Sequence, residues 1–415
     1  MTKCVACLTW LFLALIAAPL HGQALAQPTS LEPGSQLEIS LLTFGPGEVL
    51  WERFGHNAIR IRDASARVDI DYNYGIFDFS EDDFTSNFAR GRMMYRIAAD
   101  DTQEDLALYA EEGRWVVEQR LNLTGAQRLA LRDFLEWNRR PENALYRYEY
   151  FTANCSTRVR DALDKVLGGR IHDQLASPSK GFTFRMHADR LMRPDLLPML
   201  GMDLGLGPFA DKRLSSWDES FVPMELMQHL RGVSVPDSNG QPVPLVLSEK
   251  RINTPRLPEP PDFPSDLRWP FGIIGVLLGG LLLFLSSRRE KPAARYAFVS
   301  LALLISLLCT LAGVVLAALW GFTEHVSAWR NENLLQFNPL CLLLIPTWWR
   351  ARRAQWRITR FGRGVAYAVL VLAALALCVK ILPWFVQSNT AWIFLMLPLH
   401  AALAKAIANR PKASP

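Results

Sequence analysis

The sequence predicts an α+β exported domain followed by an α-helical membrane domain of five spans. Three observations carry that reading. Charge is sharply divided: residues 27–266 hold 28 Lys and Arg against 37 Asp and Glu, whereas residues 267–415 hold 16 against 3. The second half contains five apolar runs, with its basic residues gathered in the short connections between them. In the first half, strand-like alternation precedes helical patterning, which is the order of an α+β domain. A chain that is 50% hydrophobic is too apolar for disorder. Basic residues confined to loops between apolar runs point to membrane orientation and away from nucleic acid.

The chain opens on a secretory signal over residues 1–26. Lys3 supplies the positive start, Leu8 to Leu20 the apolar core, and Ala24-Leu25-Ala26 the small-x-small cleavage pattern. A retained anchor helix is the alternative. Cys4 and Cys7 precede the apolar core, so a lipoprotein signal does not fit. An exported domain then runs from 27 to 256. Its strands are read over Gln36–Phe44, Asn57–Arg62 and Val68–Tyr74, with Gly45-Pro46-Gly47 as a turn. Its helices begin at Thr102 with Asp105, at Thr124 with Gln127, and at Asn154-Cys155-Ser156-Thr157, the last stopping at Gly168-Gly169. A Pro-rich linker, 257–268, is expected to act as a stiff spacer to the bilayer.

The membrane domain occupies 269–408. Residues 269–287 and 296–320 carry no charge, 334–349 form a shorter span with Pro339 and Pro346, and 365–404 hold two spans separated by Gln387-Ser388-Asn389-Thr390. Lys380, the one charge in that last stretch, is expected to snorkel toward headgroups. Arg288 to Arg295 and Arg350 to Arg363 are basic and face the cytoplasm by the positive-inside rule. The loops 321–333 and 387–390 then fall outside, with the exported domain.

Chemistry concentrates on one cysteine. Cys155 is the only cysteine between residues 27 and 266, so it has no disulfide partner in that domain. A buried packing role is the plain alternative. Asn154 and Ser156 are capping residues, which puts the thiol at a helix N-terminus; the dipole, with Arg158 and Arg160 nearby, is expected to favour thiolate. A thiol nucleophile needs a base. Of His56, His172, His187 and His229, His56 enters a strand after the Gly55 turn and can face a packed helix N-terminus. Asp69, Asp71 and Asn73 alternate on one face of the next strand, and any of them can orient an imidazole. Gly-rich phosphate loops and His or Cys pairs at metal-ligand spacing do not occur, so no cofactor is expected.

Several segments together resemble one bacterial family. They are Leu42 to Gly47, Phe54-Gly55-His56, Asp69 to Gly75, Asn154 to Thr157 with Arg160-Asp161, Gly201 to Asp211, Phe221-Val222-Pro223, and Asn331 to Leu335 leading to Asn338-Pro339. The chain is similar in these to the membrane-anchored Lnb-type lipoprotein N-acyltransferases. The resemblance implies a permuted papain-like core of the lecithin:retinol acyltransferase type, in which His precedes Cys; His56 lies 99 residues before Cys155. It implies Cys155 as nucleophile, His56 as base, and Asn73 and Asp69 as matching the family pattern, while Asp71 departs from it. A phospholipid acyl donor and a diacylated lipoprotein acceptor are the implied partners, at the bacterial inner membrane with the catalytic domain in the periplasm. An exported cysteine peptidase or peptidoglycan amidase is the alternative chemistry, and a non-enzymatic scaffold a third.

The outer loop Thr323 to Asn333 is unusually polar for a short connector. Topology puts it on the side of Cys155. There His325 or Arg330 is expected to meet a lipid phosphate, and Asn331 and Asn333 to order the loop, the four forming the expected substrate-binding set. A solvated connector anchored by Trp329 is the simpler reading.

Overall fold

The computed structural model describes residues 32–80, 83–237 and 239–408, so the expected signal lies outside the described residues. The exported part is built on an antiparallel sheet. Its strands are β1 (Leu37–Phe44), β2 (His56–Asp63), β3 (Val68–Ile76), β4 (Met94–Asp101), β5 (Val116–Leu121), β6 (Leu145–Arg147) and β7 (Val246–Arg251), in the spatial order β7-β5-β1-β2-β3-β4-β6. Successive side chains of β1 serve two faces. Leu37, Ile39 and Leu41 join Ile59, Ile61, Tyr72 and Tyr74 in the main core, whereas Leu42 and Phe44 pack with Ala58 and Val116 on the other side. Both faces are therefore covered, and β1 is buried nearly throughout.

The helices that matter to the site are α1 (Phe84–Arg90), α2 (Thr102–Glu111), α3 (Gly125–Asn138), α4 (Cys155–Val166), α5 (Phe184–Met192) and α6 (Leu196–Gly205). The expected capping boxes form at Thr124 with Gln127 and at Asn154 with Thr157, each worth about 1 kcal/mol to its helix start. At α2 the cap is Asp101, whose carboxylate accepts from the Gln103 and Glu104 amides; Thr102 is the first helical residue, not the cap. Leu106 and Tyr109 of α2 lie against the Phe44 side of the sheet, while Val159, Ala162 and Leu163 of α4 join Leu131 and Leu135 of α3 on the other.

Among the described residues, four helices are long and apolar enough to cross a membrane: α7 (Arg268–Ser287), α8 (Pro292–Phe322), α9 (Arg360–Cys378) and α10 (Thr390–Ala408). At 31 residues, α8 is about 46 Å long, well beyond the ~30 Å hydrocarbon layer. The expected third span is not a continuous helix. It folds as the 3-10 turns Glu332–Leu335 and Pro339–Leu344 followed by the short helix Ile345–Arg350, because prolines 339 and 346 remove amide donors that a longer helix needs. Its first end is tied to the 387 loop, where Gln387 Oε1 accepts from the Glu332 amide at 2.7 Å. At its other end Arg295 Nε donates to the Arg352 carbonyl at 3.0 Å, drawing the two basic loops together.

Two expectations about charge and linkage are corrected. Lys380 does not snorkel; its ammonium pairs with Glu332 and donates to the Gln387 carbonyl at 2.7 Å. The Pro-rich segment does not stand off as a stiff spacer to the bilayer but is strapped across the exported domain. Glu259 accepts from Trp115 Nε1 at 3.0 Å, Arg190 reaches the Pro261 carbonyl, and Phe263 packs edge-on to Phe182.

The exported domain sits directly on the outer loops. Asn331 Nδ2 donates to the carbonyls of Leu204 and Gly205 at 2.9 Å each, Asn333 Nδ2 donates to Leu204 at 3.0 Å, and Gln387 Nε2 donates to Leu206 at 3.0 Å. These side chains satisfy the open carbonyls at the C-terminal end of α6, groups that every helix leaves without intrahelical partners. Asp203 bridges the parts, pairing with Arg185 of α5 and accepting from Trp392 Nε1 of α10 at 2.8 Å. At Gly207 a Cβ would collide with the Trp329 carbonyl, so only glycine permits this approach.

Candidate functional site

His56 is the first residue of β2, and the register that pairs Ala58 with Asn73 brings it alongside Gly75 near the end of β3. Gly75 has φ +94°, and a Cβ built there would meet the Cys155 Cβ at 3.4 Å. A bare backbone at this point lets the start of α4 come down onto the sheet. The backbone N–H groups of Asn57, Ser156 and Cys155 itself act to lower the thiol's pKa, which sets the sulfur close to the peptide that follows His56. Ser156 reinforces the contact, its hydroxyl lying 2.8 Å from Asn57 Oδ1 and 2.7 Å from the Ser220 carbonyl. The Asn57 amide nitrogen in turn donates to Thr43 Oγ1 at 2.8 Å, anchoring β2 to β1.

The imidazole is oriented from β3. His56 Nε2 and Asn73 Oδ1 are 2.9 Å apart. The amide cannot be turned round, because Asn73 Nδ2 donates to Asp105 at 2.9 Å and to Asp100 at 3.1 Å, and carboxylates only accept. Asn73 Oδ1 therefore accepts from His56 Nε2–H, and Nδ1 is left as the basic nitrogen. Behind this pair lies Asp71, fully buried; burial and the neighbouring Asp105 push its carboxyl up.

Both reactive groups are half-buried, and loss of solvation governs both. It lowers His56 to about 4, against the opposing effect of the Asn73 hydrogen bond and with help from the Arg114 charge. It raises Cys155 to about 11, although three backbone donors and Arg114 pull the other way. The expected thiolate is thus corrected: the cap is present, but desolvation outweighs the helix dipole. At neutral pH the resting pair is a thiol beside a neutral imidazole.

Of the sequence-expected residues, Cys155, His56 and Asn73 come together. Asp69 does not reach His56; its carboxylate takes Arg60 bidentately at 2.7 and 2.6 Å, and Arg60 also reaches Glu118 of β5. His325 sits apart, stacked on Tyr150 with Nε2 2.9 Å from the Phe88 carbonyl. Arg330 is exposed with φ +56°, whereas Asn331 and Asn333 are buried in the seat under α6 and not presented to a ligand. His187 and His229 both bond Glu219 at 2.9 Å in the core, and His172 packs edge-on to Trp217.

Sequence reasoning missed several neighbours. Tyr109 stacks on Phe44, which stacks on His56. Arg114 is buried over the Tyr109 ring, its Nε donating to the Gly45 carbonyl at 2.8 Å. Tyr109 lies near the end of α2 and Arg114 in the turn that follows it before β5, where no motif marks them. Asp105 carried a signal, but it was read as a capping residue. Glu219, Glu225 and His229 bring donor atoms within 4.8 Å of one another, the spacing of a metal site. Their atoms are already spent: Glu219 binds two histidines, and Glu225 binds Arg190 and Lys180.

A family model described as the Lnb N-terminal periplasmic domain matches residues 29–190, and one described as the Lnb transmembrane domain matches residues 269–410. No curated protein and no solved structure matches the chain. The two matched segments fall on the sheet domain that carries Cys155 and on the helices beneath it, in the order that makes a multi-pass membrane protein with a periplasmic domain. The chain belongs to the Lnb family, whose periplasmic and transmembrane domain models together cover most of it.

Proposed function

We propose that this protein moves an acyl chain from a phospholipid, through a thioester on Cys155, to the N-terminal amine of a diacylglyceryl-cysteine lipoprotein. One observation carries the reading. The His56 ring is committed through Nε2 to an Asn73 amide that cannot flip, which leaves Nδ1 for the thiol set against the adjoining Asn57 peptide.

In the first half-reaction His56 Nδ1 takes the Cys155 proton as sulfur attacks the ester carbonyl. The C–S bond forms, the C–O bond breaks, and the leaving alkoxide takes the proton from His56, releasing lysophospholipid. In the second, the lipoprotein amine attacks the thioester carbonyl. The N–C bond forms, the C–S bond breaks, and the amine proton returns through His56 to the sulfur. The Cys155 N–H at the first turn of α4, with the Asn57 N–H beside it, is the proposed oxyanion donor set. A neutral resting pair suits this cycle, because the proton moves only as the carbonyl is attacked.

The architecture proposed with this function is a permuted papain-like domain held at the outer leaflet of the bacterial inner membrane. The broken segment 332–350 serves as the fifth crossing, since its ends are tied to the periplasmic seat and to the basic loops respectively. Direct seating of the domain on the membrane loops confines the thiol near lipid-anchored substrates and raises their effective concentration. Mass spectrometry of a lipoprotein N-terminus, with and without this chain, tests the proposal. Gain of one amide-linked acyl chain is expected; altered muropeptides with an unchanged lipoprotein would favour the amidase instead.

A further inference from the structure

A cavity of about 490 Å³ lies at the junction between the periplasmic domain and the loop that follows α8. Met93, Tyr148, Tyr150, His325, Val326 and Trp329 line it. On the membrane side Val326 and Trp329 are exposed, and they follow Phe322, at 85% the most exposed large side chain near the top of α8. Arg147, Glu149 and Glu324 also line it, but each is engaged: Glu324 pairs with both Arg92 and Arg147, and Glu149 accepts from the Phe151 and Thr152 amides, so the rest of the wall presents rings and aliphatic groups.

From Tyr148 and Tyr150, on the opposite wall, a run of ring contacts extends toward the thiol. Tyr150 stacks on His325 with centroids 5.9 Å apart, Tyr148 meets Tyr150 at 6.0 Å, Tyr95 meets Tyr148 at 4.3 Å and Phe77 meets Tyr95 at 4.9 Å. Phe77 is two residues beyond Gly75, the backbone on which Cys155 rests. From the other direction, Asn154 Nδ2 donates to the Tyr150 carbonyl at 3.0 Å, tying the same wall to the cap of α4. Burial, with the Cys155 sulfur close by, holds the Tyr148 phenol well above its ordinary range, so the ring stays neutral.

Resting on the acyl-transfer reading, we infer that this cavity receives the acyl chain of the donor lipid, which enters between Val326 and Trp329 and runs along the Tyr150–Tyr148–Tyr95–Phe77 rings toward the Cys155 sulfur. A ligand that starts in the bilayer and ends at a thiol through a wall of rings is aliphatic. The size fits as well. A cavity of ~150 Å³ holds a six-carbon benzene, so about 490 Å³ has room for a chain on the order of twenty carbons. His325 then acts as a wall of the slot, its polar edge satisfied by the Phe88 carbonyl.

The test uses the full chain in vesicles of phosphatidylcholine carrying acyl chains from twelve to eighteen carbons, scored by the acyl adduct on the protein. Met93→Trp and Val326→Trp each fill part of the slot. Each is expected to cut long-chain over short-chain adduct by about tenfold or more, because a hydrophobic pocket resolves methylenes at roughly that level. Trp329→Ala is expected to shift preference the opposite way. Labelling of Cys155 by iodoacetamide reports whether each variant is folded, and Val326, on the exposed loop, gives the answer if Met93→Trp misfolds. An unchanged chain-length profile in Val326→Trp and Trp329→Ala, with adduct still forming, overturns the slot and leaves the transfer reading standing. A wild-type chain that forms no acyl adduct overturns both.

Discussion

The Ser156 hydroxyl lies 2.8 Å from the Asn57 side-chain oxygen, and its one proton is shared between that oxygen and the Ser220 carbonyl at 2.7 Å. Ser156 and Asn57 each immediately follow a reactive residue, so this buried hydroxyl, held between two acceptors, helps fix how Cys155 faces His56. Asn57 is fully buried, and its oxygen has no water to turn to. Ser156→Ala is expected to cost about 1–3 kcal/mol, the usual penalty for a stranded buried acceptor. It is also expected to slow acyl-adduct formation beyond any loss of folded protein. Thermal melting beside adduct formation per folded molecule measures both.

Asp105 holds the Asn73 amide without touching His56. Asp105→Asn removes an obligatory acceptor, so the amide is no longer pinned with its oxygen toward the ring. Adduct formation is expected to fall by about tenfold, comparable to losing ~1.4 kcal/mol of transition-state orientation. Melting temperature is expected to hold, since the change also relieves the pressure of one carboxylate on buried Asp71. Equal loss of stability and rate would assign Asp105 to the fold alone.

The pH behaviour follows from burial. With His56 near 4 and Cys155 near 11, iodoacetamide labelling of the resting protein is expected to rise about tenfold per pH unit from 6 to 10. A thiolate–imidazolium pair would instead plateau near neutrality. Stability has its own sign. Below pH 6.5 the unfolded chain protonates His56 while the native chain does not until about 4, so this group destabilises the fold progressively as pH falls through that window. In His56→Asn the corresponding part of the melting-temperature slope is expected to vanish.

The seat makes a separate prediction. Asn333 is fully buried, donates to the Leu204 carbonyl, and accepts from Asn389 at 3.0 Å. Asn333→Ala is expected to loosen α6 from the membrane domain, seen as faster hydrogen exchange over residues 196–206. Iodoacetamide labelling of Cys155 is expected to stay unchanged, because the thiol and its donors lie elsewhere. Slower labelling would mean the seat also shapes the reactive pair.

Much of the site was legible because local chemistry marks it. The Asn154 capping box placed Cys155 at a helix start, and alternation placed Asn73 on a strand beside the one His56 opens. What stayed hidden depends on partners distant in sequence. Desolvation of the thiol comes from everything packed around it, so the helix-dipole argument gave the wrong direction. The pinning of Asn73 by Asp100 and Asp105 needs β4 and α2 to meet β3. Asp69 shares a face with Asn73, yet Arg60 claims it. In the membrane part, Pro339 and Pro346 were visible but the resulting 3-10 turns were not. The polar 331–333 run likewise looked like a ligand surface until its donors were seen to end on α6 carbonyls.

Covalent chemistry at Cys155 is tested most directly by intact-mass analysis of the purified full chain after incubation with phospholipid vesicles lacking any lipoprotein acceptor. The expected result is a gain of one acyl group on the peptide containing Cys155, released by hydroxylamine and absent from Cys155→Ser and His56→Ala. An acyl adduct that persists in Cys155→Ser, or full lipoprotein acylation by that variant, would contradict the mechanism.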